Sequence, residues 1–256
     1  MFRIITWNVN SIKMREERTL KLLEKQKPDI LCLQELKCVE EAFPESISKA
    51  GYHCSILGQK TYNGVAILSK NPAHEVTRKL NETDTDARLI SAKFGSMTIY
   101  SAYIPNGQEV GSEKYAYKLA WYESLINKIK ANHHPTDAVL ICGDFNVAPH
   151  DLDVYDPSKW KDQILCSEKE RGAFEKLIKF GFVDCFRGLN PHSQEYSWWD
   201  YRAMAFPLNH GLRIDFVLAT ESLYKACTSA KILRDERVGV KPSDHVPVVC
   251  DFSISN

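Results

Sequence analysis

Short apolar runs rich in β-branched and aromatic residues recur along the whole chain: Phe2–Trp7, Ile30–Leu33, Val65–Leu68, Leu89–Phe94, Met97–Tyr103, Val139–Cys142, Ile214–Leu218 and Val246–Phe252. They are too short for buried helices and are bordered by Gly, Pro, Asn and Asp, so they predict strands. Helical patterns intervene at about 13–26, 39–50, 113–132 and 167–180. The third carries Ala116, Leu119, Ala120, Leu125, Ile126 and Ile129 at helical recurrence, with Pro135 as a stop signal beyond its end. Gly181 is placed to close the fourth. Strands interleaved with helices, without a linker, a low-complexity tract or a short-period repeat, predict one compact α/β domain over residues 1–256.

An internal echo points to two related layers. Ile4-Ile5-Thr6-Trp7-Asn8-Val9 and Ile141-Cys142-Gly143-Asp144-Phe145-Asn146-Val147 both run from an apolar strand into aromatic-Asn-Val. Asn63–Leu68 and Arg213–Leu218 supply a second strand in each half. Two similar sheets packed face to face, with strand ends meeting at one rim, explain the echo; chance likeness of short strands explains it equally well.

Composition bounds the class. With 44% hydrophobic and 26% charged residues the chain is neither disordered nor collagenous nor a coiled coil. No apolar run approaches the ~18 residues of a membrane span, and the amino terminus runs straight into a strand with no export signal. The expected location is the cytoplasm. None of the eight cysteines forms a Cys-x-x-Cys pair or zinc-finger spacing, and Cys32, Cys142 and Cys250 inside apolar runs read as small buried hydrophobes. Net charge is zero, which argues against a broadly basic nucleic-acid binder. With no exposed apolar stripe evident, a monomer is expected.

The informative polar residues stand at strand ends. Asn8 and Asn10 follow the first strand, Gln34-Glu35 the second, Tyr103 and Asn106 the Met97 strand, Asp144 and Asn146 the Val139 strand. Asp215 interrupts Leu212–Leu218, and Ser243-Asp244-His245 precedes Val246. Any one of these is ordinary turn chemistry; six such places in one chain predict a shared site. The set is rich in oxygen, with Asn8, Glu35 and Asp244 joined by Asn10, Asp144 and Asn146, and hard oxygen ligands suit Mg²⁺ or Mn²⁺. Such an inventory fits phosphoryl chemistry, in which charge is neutralised, a nucleophile activated and a leaving oxygen protonated. Neither Gly-x-Ser-x-Gly nor Gly-x-x-x-x-Gly-Lys is present, so a hydrolase using water directly is favoured. A carboxylate inside an apolar run requires a partner. For Asp215 the candidate is His245, with Arg213 or a backbone amide as alternatives. The block Tyr196–Arg202 reads either as core or as the wall of a pocket shared with Phe206, Leu212 and Ile214. Arg202, Arg213 and Lys241 are candidate phosphate contacts or simply solvated charges.

These residues, in this order, resemble the exonuclease III family of apurinic/apyrimidinic endonucleases, within the endonuclease–exonuclease–phosphatase superfamily. The resemblance rests on Thr6–Ile12, Pro28–Glu35, Tyr103–Gly107, Gly143–Pro149, Ser197–Arg202, Gly211–Asp215 and Pro242–Pro247. It implies a deoxyribonuclease I-like four-layered α/β sandwich, two packed β-sheets flanked by helices. It also implies hydrolysis of the phosphodiester 5′ to abasic sites in duplex DNA, with 3′→5′ exodeoxyribonuclease and 3′-phosphodiesterase or phosphatase activity, in base excision repair. By position, Glu35 would be the main metal ligand, supported by Asn8, Asn10 and Asp244, with Asp144 and Asn146 beside them. Mg²⁺ would be the cofactor, with Mn²⁺ able to substitute. Asp144 would activate the water or protonate the leaving group. Asn146 would position the phosphate, which His245, oriented by Asp215, and Tyr103 would contact, with Asn106 nearby. Trp198, Leu212 and Ile214 would form the pocket for an extruded abasic sugar, with Arg202 and Phe206 among the substrate contacts. Met204 or Phe206 would stand where relatives probe the minor groove. Extruding an abasic nucleotide costs less than extruding a paired one, and a tight apolar pocket then excludes any base. Affinity from phosphate contacts would fall with salt, through a basic stripe on one rim that coexists with zero net charge. The alternatives are a phosphatase of phosphoinositides or other small phosphoesters, and a catalytically silent DNA-binding module.

Overall fold

The computed structural model describes residues 1–254; the last two residues of the expected 1–256 span lie outside the described residues. Among the described residues twelve strands form two six-stranded sheets. The first holds β1 (Phe2–Asn8), β2 (Ile30–Gln34), β3 (His53–Leu57), β4 (Val65–Ser69), β11 (Cys227–Ile232) and β12 (Val248–Phe252), in the order β11-β12-β1-β2-β4-β3. The second holds β5 (Glu75–Arg78), β6 (Leu89–Phe94), β7 (Met97–Tyr103), β8 (Val139–Asp144), β9 (Phe182–Asp184) and β10 (Asp215–Thr220), in the order β5-β6-β7-β8-β10-β9. The helices are α1 (Glu16–Gln26), α2 (Glu45–Ser48), α3 (Glu113–Asn132), α4 (Pro157–Trp160), α5 (Glu168–Phe180), α6 (Cys185–Leu189) and α7 (Glu221–Tyr224).

Alternation along the strands builds the layers, because successive side chains point to opposite faces of a sheet. Ile4 on β1, and Leu140 and Cys142 on β8, enter the core between the sheets, with Ile30, Cys32, Ile67, Ile99 and Cys250. The intervening residues turn outward. Ile5 and Trp7 meet Leu22 and Leu23 of α1, while Val139 and Ile141 meet Leu125, Ile126 and Ile129 of α3 and Phe174 and Leu177 of α5. Helices, sheet, sheet, helices make a four-layered α/β sandwich. Among the described residues no helix is long and apolar enough to cross a membrane.

The two sheets share one pattern of strand directions. β1 lies parallel to β2 and antiparallel to β12; β8 lies parallel to β7 and antiparallel to β10; every remaining pair is antiparallel. β1 and β8 are therefore counterparts, as the echo between them predicts. Its second half needs correcting: β4 lies beyond the parallel partner in its sheet, whereas β10 lies on the antiparallel side of β8, so β10 is the counterpart of β12. The shared pattern brings the C-terminal ends of β1, β2, β7 and β8, and the N-terminal ends of β10 and β12, to a common rim.

Several sequence expectations shift in detail. The helix expected at 39–50 is a 3₁₀ turn, Glu40–Ala42, and the single turn of α2, separated by Pro44, whose ring and missing N–H cannot continue a helix. The last strand begins at Val248, not Val246, because Pro247 has no ladder donor; Val246 N–H instead donates to Ser197 O at 2.8 Å. On α3, Ala116 and Ala120 are exposed, and the buried face is Tyr115, Lys118, Trp121, Tyr122, Leu125, Ile126 and Ile129. The aromatic rings bury far more apolar area than two alanines, and their placement decides the rotation. Gly181 follows α5 at φ 127°, as expected. Cys32, Cys142 and Cys250 are fully buried.

Candidate active site

At the common rim β1 and β8 end against each other. Asn8, the last residue of β1, donates through Nδ2 to Glu35 Oε1 and Asp144 Oδ2, both at 2.9 Å, and so ties β1, the end of β2 and β8 together. Its Oδ1 accepts the Asn10 backbone N–H at 2.9 Å. A backbone N–H can only donate, so the Asn8 oxygen is fixed on that side and its amide nitrogen faces the two carboxylates. Asn8, expected as a metal ligand, is thus a hydrogen-bond donor that holds two carboxylates side by side.

The register sets the neighbours. Asp144 is paired with Tyr103 on β7 and with Asp215 on β10, which puts three polar side chains abreast. Gly143 permits this close pairing: a Cβ there would stand 1.9 Å from Ala102 O. Asp215 Oδ2 meets His245 Nδ1 at 2.9 Å, and the other ring nitrogen, Nε2, lies 3.7 Å from Asp144 Oδ2. The alternative partner, Arg213, turns away to Asp153 (2.8 Å) and Asp184 (2.7 Å), where Arg187 also joins Asp153. Ser197 Oγ accepts the Ile214 and Asp215 backbone N–H groups at 3.0 Å each, and Ser243 Oγ donates to Asn8 O at 2.8 Å.

Three residues of the site carry backbone strain. Asn10, Glu35 and Asn146 all lie in the left-handed region, at φ 45°, 54° and 48°. For a non-glycine residue that conformation costs on the order of 1 kcal/mol, and it persists only where surrounding contacts over-determine it. Around Glu35 they are Ser11 N–H to Glu35 O at 2.7 Å and Leu36 N–H to Gly64 O at 3.1 Å. Around Asn146 they are its own N–H to Asp144 Oδ1 at 2.9 Å, its Nδ2 to Ile104 O at 2.9 Å, and its Oδ1 accepting from Asn106 Nδ2 at 3.0 Å.

Electrostatics separates the titratable groups. Burial pushes the Asp144 carboxyl up to about 7, with His245 pulling the other way and Asp215 adding to the rise. Burial disfavours charge on His245, but Asp215 and Asp144 outweigh it and raise the imidazole to about 10. Asp244 is disfavoured by burial too, yet the His245 charge and the donors of Asn10 and Trp198 hold it below the ordinary carboxylate range. Burial, reinforced by Glu35 and Asp144, raises the Tyr103 hydroxyl well above its usual value, so it remains a proton donor.

Oxygens of Glu35 and Asp144 and a nitrogen of His245 lie within 4.8 Å of one another. Glu35 Oε2 and Asn10 Oδ1 already hold a positive charge, the Lys37 ammonium, at 2.9 and 2.5 Å. The Glu35 carboxylate, with Asn10 Oδ1 beside it at the Lys37 ammonium and Asp144 on its other side, fits a hard divalent ion, which takes one or two carboxylates and otherwise water. His245 stands at the edge of this group, its Nε2 3.7 Å from Asp144 Oδ2. Of the other expected ligands, Asp244 sits one step out, accepting from Asn10 Nδ2 at 2.8 Å and Trp198 Nε1 at 3.1 Å, and Asn146 spends both amide ends on protein partners.

The expected substrate contacts divide. Trp198 is half-buried, and Leu212 and Ile214, in one apolar cluster with it, are fully buried behind it. Arg202 lies away from the cluster, clamped by Asp200 at 2.8 Å. Phe206 packs edge-on against Trp199 with Arg234 4.5 Å above its ring. Its ring is thereby occupied, which leaves Met204, 67% exposed, at the loop surface.

Three contributors escaped the sequence reading. Lys37 is one. Arg15 is another, donating to Asn10 O at 2.8 Å and to Tyr201 Oη at 2.7 Å. The third, Lys118 of α3, is fully buried, pairs with Glu170 and donates to Asn146 O at 2.6 Å and Asn106 O at 3.0 Å. Lys118 left a signal, a lysine among the aromatic residues of a helix's core face.

The chain matches the Endonuclease/Exonuclease/phosphatase family over residues 5–245. It is 35% identical to the exodeoxyribonuclease III of Haemophilus influenzae, over 98% of this chain and 99% of that one. It is similar to the structure of an AP endonuclease from Archaeoglobus fulgidus, with TM-score 0.96 and 38% identity over 99% of this chain and all of that one. It is also similar to a 3′ phosphatase, NExo, from Neisseria bound to a product DNA hairpin, with TM-score 0.95 and 36% identity over the same shares.

Proposed function

The chain belongs to the Endonuclease/Exonuclease/phosphatase family, and from that premise we propose how its rim of carboxylates and imidazole carries out its reaction. It is a metal-dependent DNA repair nuclease of the exodeoxyribonuclease III and AP endonuclease type. The finer reading is hydrolysis of the phosphodiester 5′ to an abasic site in duplex DNA, with trimming of 3′ ends by the same chemistry. The chain acts as a monomer in the cytoplasm, as one catalytic domain whose site draws residues from Asn8 to His245. Cysteine usage supports the location, with eight free thiols and most of them buried.

The observation that carries this reading is the Asn8 amide holding Glu35 and Asp144 together, with the Asp215–His245 pair beside them. In all these activities water attacks phosphorus, the bond from phosphorus to a strand's 3′ oxygen breaks, and that oxygen leaves with a proton. Endonucleolytic, exonucleolytic and 3′-phosphatase outcomes differ only in what else the phosphate carries. A divalent cation, Mg²⁺ or Mn²⁺, held through Glu35 with Asp144, supplies charge neutralisation at the phosphate. Asp144, with a carboxyl near neutrality, exchanges a proton with the attacking water or the leaving oxygen. His245 keeps its positive charge through Asp215 and donates through Nε2 to a phosphate oxygen. Tyr103 donates its hydroxyl to the same group. Asn146, pinned by Lys118 and Asn106, keeps Asp144 aimed by its backbone N–H. Trp198 offers the apolar face that takes a sugar without its base. Such a face favours the nucleotide whose extrusion costs least.

The test is incubation of an end-labelled duplex carrying one tetrahydrofuran residue, with Mg²⁺ and with EDTA, beside a soluble inositol phosphate. The expected result is a single Mg²⁺-dependent cut immediately 5′ of the tetrahydrofuran and no inositol phosphate hydrolysis. An uncut duplex with phosphate released from inositol phosphate would move the chain to the small-phosphoester branch.

A further inference from the structure

Well away from that rim, three thiols come together in the core between the sheets. Cys185 begins α6, Cys227 begins β11 and Cys250 lies on β12, and their sulfurs all stand within 4.8 Å of one another. They come from three separate elements and from positions 185, 227 and 250, so no local turn accounts for the convergence. Cys250 is paired with Ile4 and Ala230, inside the inter-sheet core. Cys227 is paired with Phe252, at the end of β12 opposite to His245. It sits on an edge strand beside a register shift between Cys227 and Ser229, and it is the least covered of the three, at 7% exposure.

The thiols are polarised as a set. Cys227 Sγ donates to Ser229 O at 3.7 Å, and the Cys185 and Cys250 thiols beside it lower its pKa, while burial raises that of Cys250. No histidine or carboxylate joins the group among the described residues.

We propose that Cys185, Cys227 and Cys250 form a three-coordinate sulfur site for a soft monovalent metal ion, Cu(I). Bonds to sulfur of ~2.3 Å place three trigonal sulfurs ~4 Å apart, so the site closes on an ion through a contraction smaller than a rotamer adjustment. Zinc prefers four ligands, and a fourth is lacking in the group; soft thiolates without nitrogen or oxygen partners select Cu(I). Each thiol that becomes a ligand releases its proton. A bound ion would staple α6 to β11 and β12, joining a helix that packs against β9 and β10 of the second sheet to the edge of the first.

The experiment titrates the reduced full chain, without oxygen, against a coloured Cu(I) chelator, with Zn(II) titrated in parallel. The wild-type chain is expected to withdraw one equivalent of Cu(I), as is Cys54→Ser, whose thiol lies on β3 outside the cluster. Cys227→Ser is expected to lose that equivalent. Because a core substitution can impair folding, copper X-ray absorption of the loaded wild-type chain provides a second readout, expected to show three sulfur neighbours and no nitrogen or oxygen. Failure to withdraw copper, retention of it by folded Cys227→Ser, a mixed ligand shell, or a preference for Zn(II) would each overturn the proposal.

Discussion

Asp215 keeps the proton on His245, and much of the site's character follows from that one contact. The imidazole stays charged up to about 10 although buried, because two carboxylates flank it. Replacing Asp215 with Asn removes one of them. The alkaline limb of the pH–rate profile is then expected to move to lower pH, because His245 surrenders its proton sooner; an unmoved limb would separate His245 charge from turnover. Glu35→Ala is expected to raise the Mg²⁺ concentration for half-maximal cleavage, read from a metal titration at saturating duplex, and an unchanged titration would remove Glu35 from the cation's ligands. Asp144, Glu35, Asp215 and His245 were legible in the sequence because each interrupts or closes an apolar strand, where a polar residue needs a reason. Lys37 and Arg15 were not, since a basic residue in a polar loop looks the same whether it holds a site or faces solvent. The orientation of Asn8 was equally hidden: residue type allows a ligand, and only the position of the Asn10 N–H shows which end of the amide faces Glu35.

The strands divide sharply in how they could be read. All eight interior strands, β1, β2, β4, β6, β7, β8, β10 and β12, appear as apolar runs in the sequence. The four that do not, β3, β5, β9 and β11, are the four sheet edges. Three of the four are part-exposed and mixed in composition, as edge strands tend to be, and β9 is three residues long. The periodicity that reveals a buried strand is absent from each. Since the site is built at the ends of interior strands and in the loops that leave them, it could be found while both edges of each sheet stayed unread. Among helices, α3 matters most to the site, since Lys118 joins it to Glu170 of α5 and to the backbone of Asn106 and Asn146. Lys118→Met leaves Glu170 buried without its counter-charge, and breaking a pair in this way costs about 3–5 kcal/mol. Chemical denaturation is expected to show that loss. At temperatures where the variant remains folded, turnover is expected to fall as well, because Asn146 loses its anchor; full stability would mean that Glu170 finds other partners.

The fold as a whole balances charges of opposite response to pH. Burial opposes ionisation of Asp153, but Arg213 and Arg187 lower its pKa below the ordinary carboxylate value of 3.8, and the Asp244 pKa is lowered likewise. For groups depressed in the folded state, the stability they add is present above 3.8 and is lost as pH falls through their folded values. His245 runs the other way: its contribution is full below 6.5 and is lost as pH rises through about 10. Asp144, raised to about 7, opposes folding increasingly from 3.8 to that value. Denaturant midpoints are therefore expected to fall both in acid and between neutrality and pH 10; a flat profile across the alkaline side would contradict the assigned His245 charge. The couplings of His245 and Asp144 converge where β1 and β8 meet, and the account stands on that junction being where phosphodiesters are cut. The most direct check is single-turnover cleavage of the tetrahydrofuran duplex by Asp144→Asn, with duplex affinity measured in parallel. Affinity near wild type with a rate about 10²–10⁴-fold lower is expected, the usual contribution of a positioned proton-transfer group. A rate close to wild type would show that the chemistry occurs without Asp144 and that the junction is not the catalytic centre.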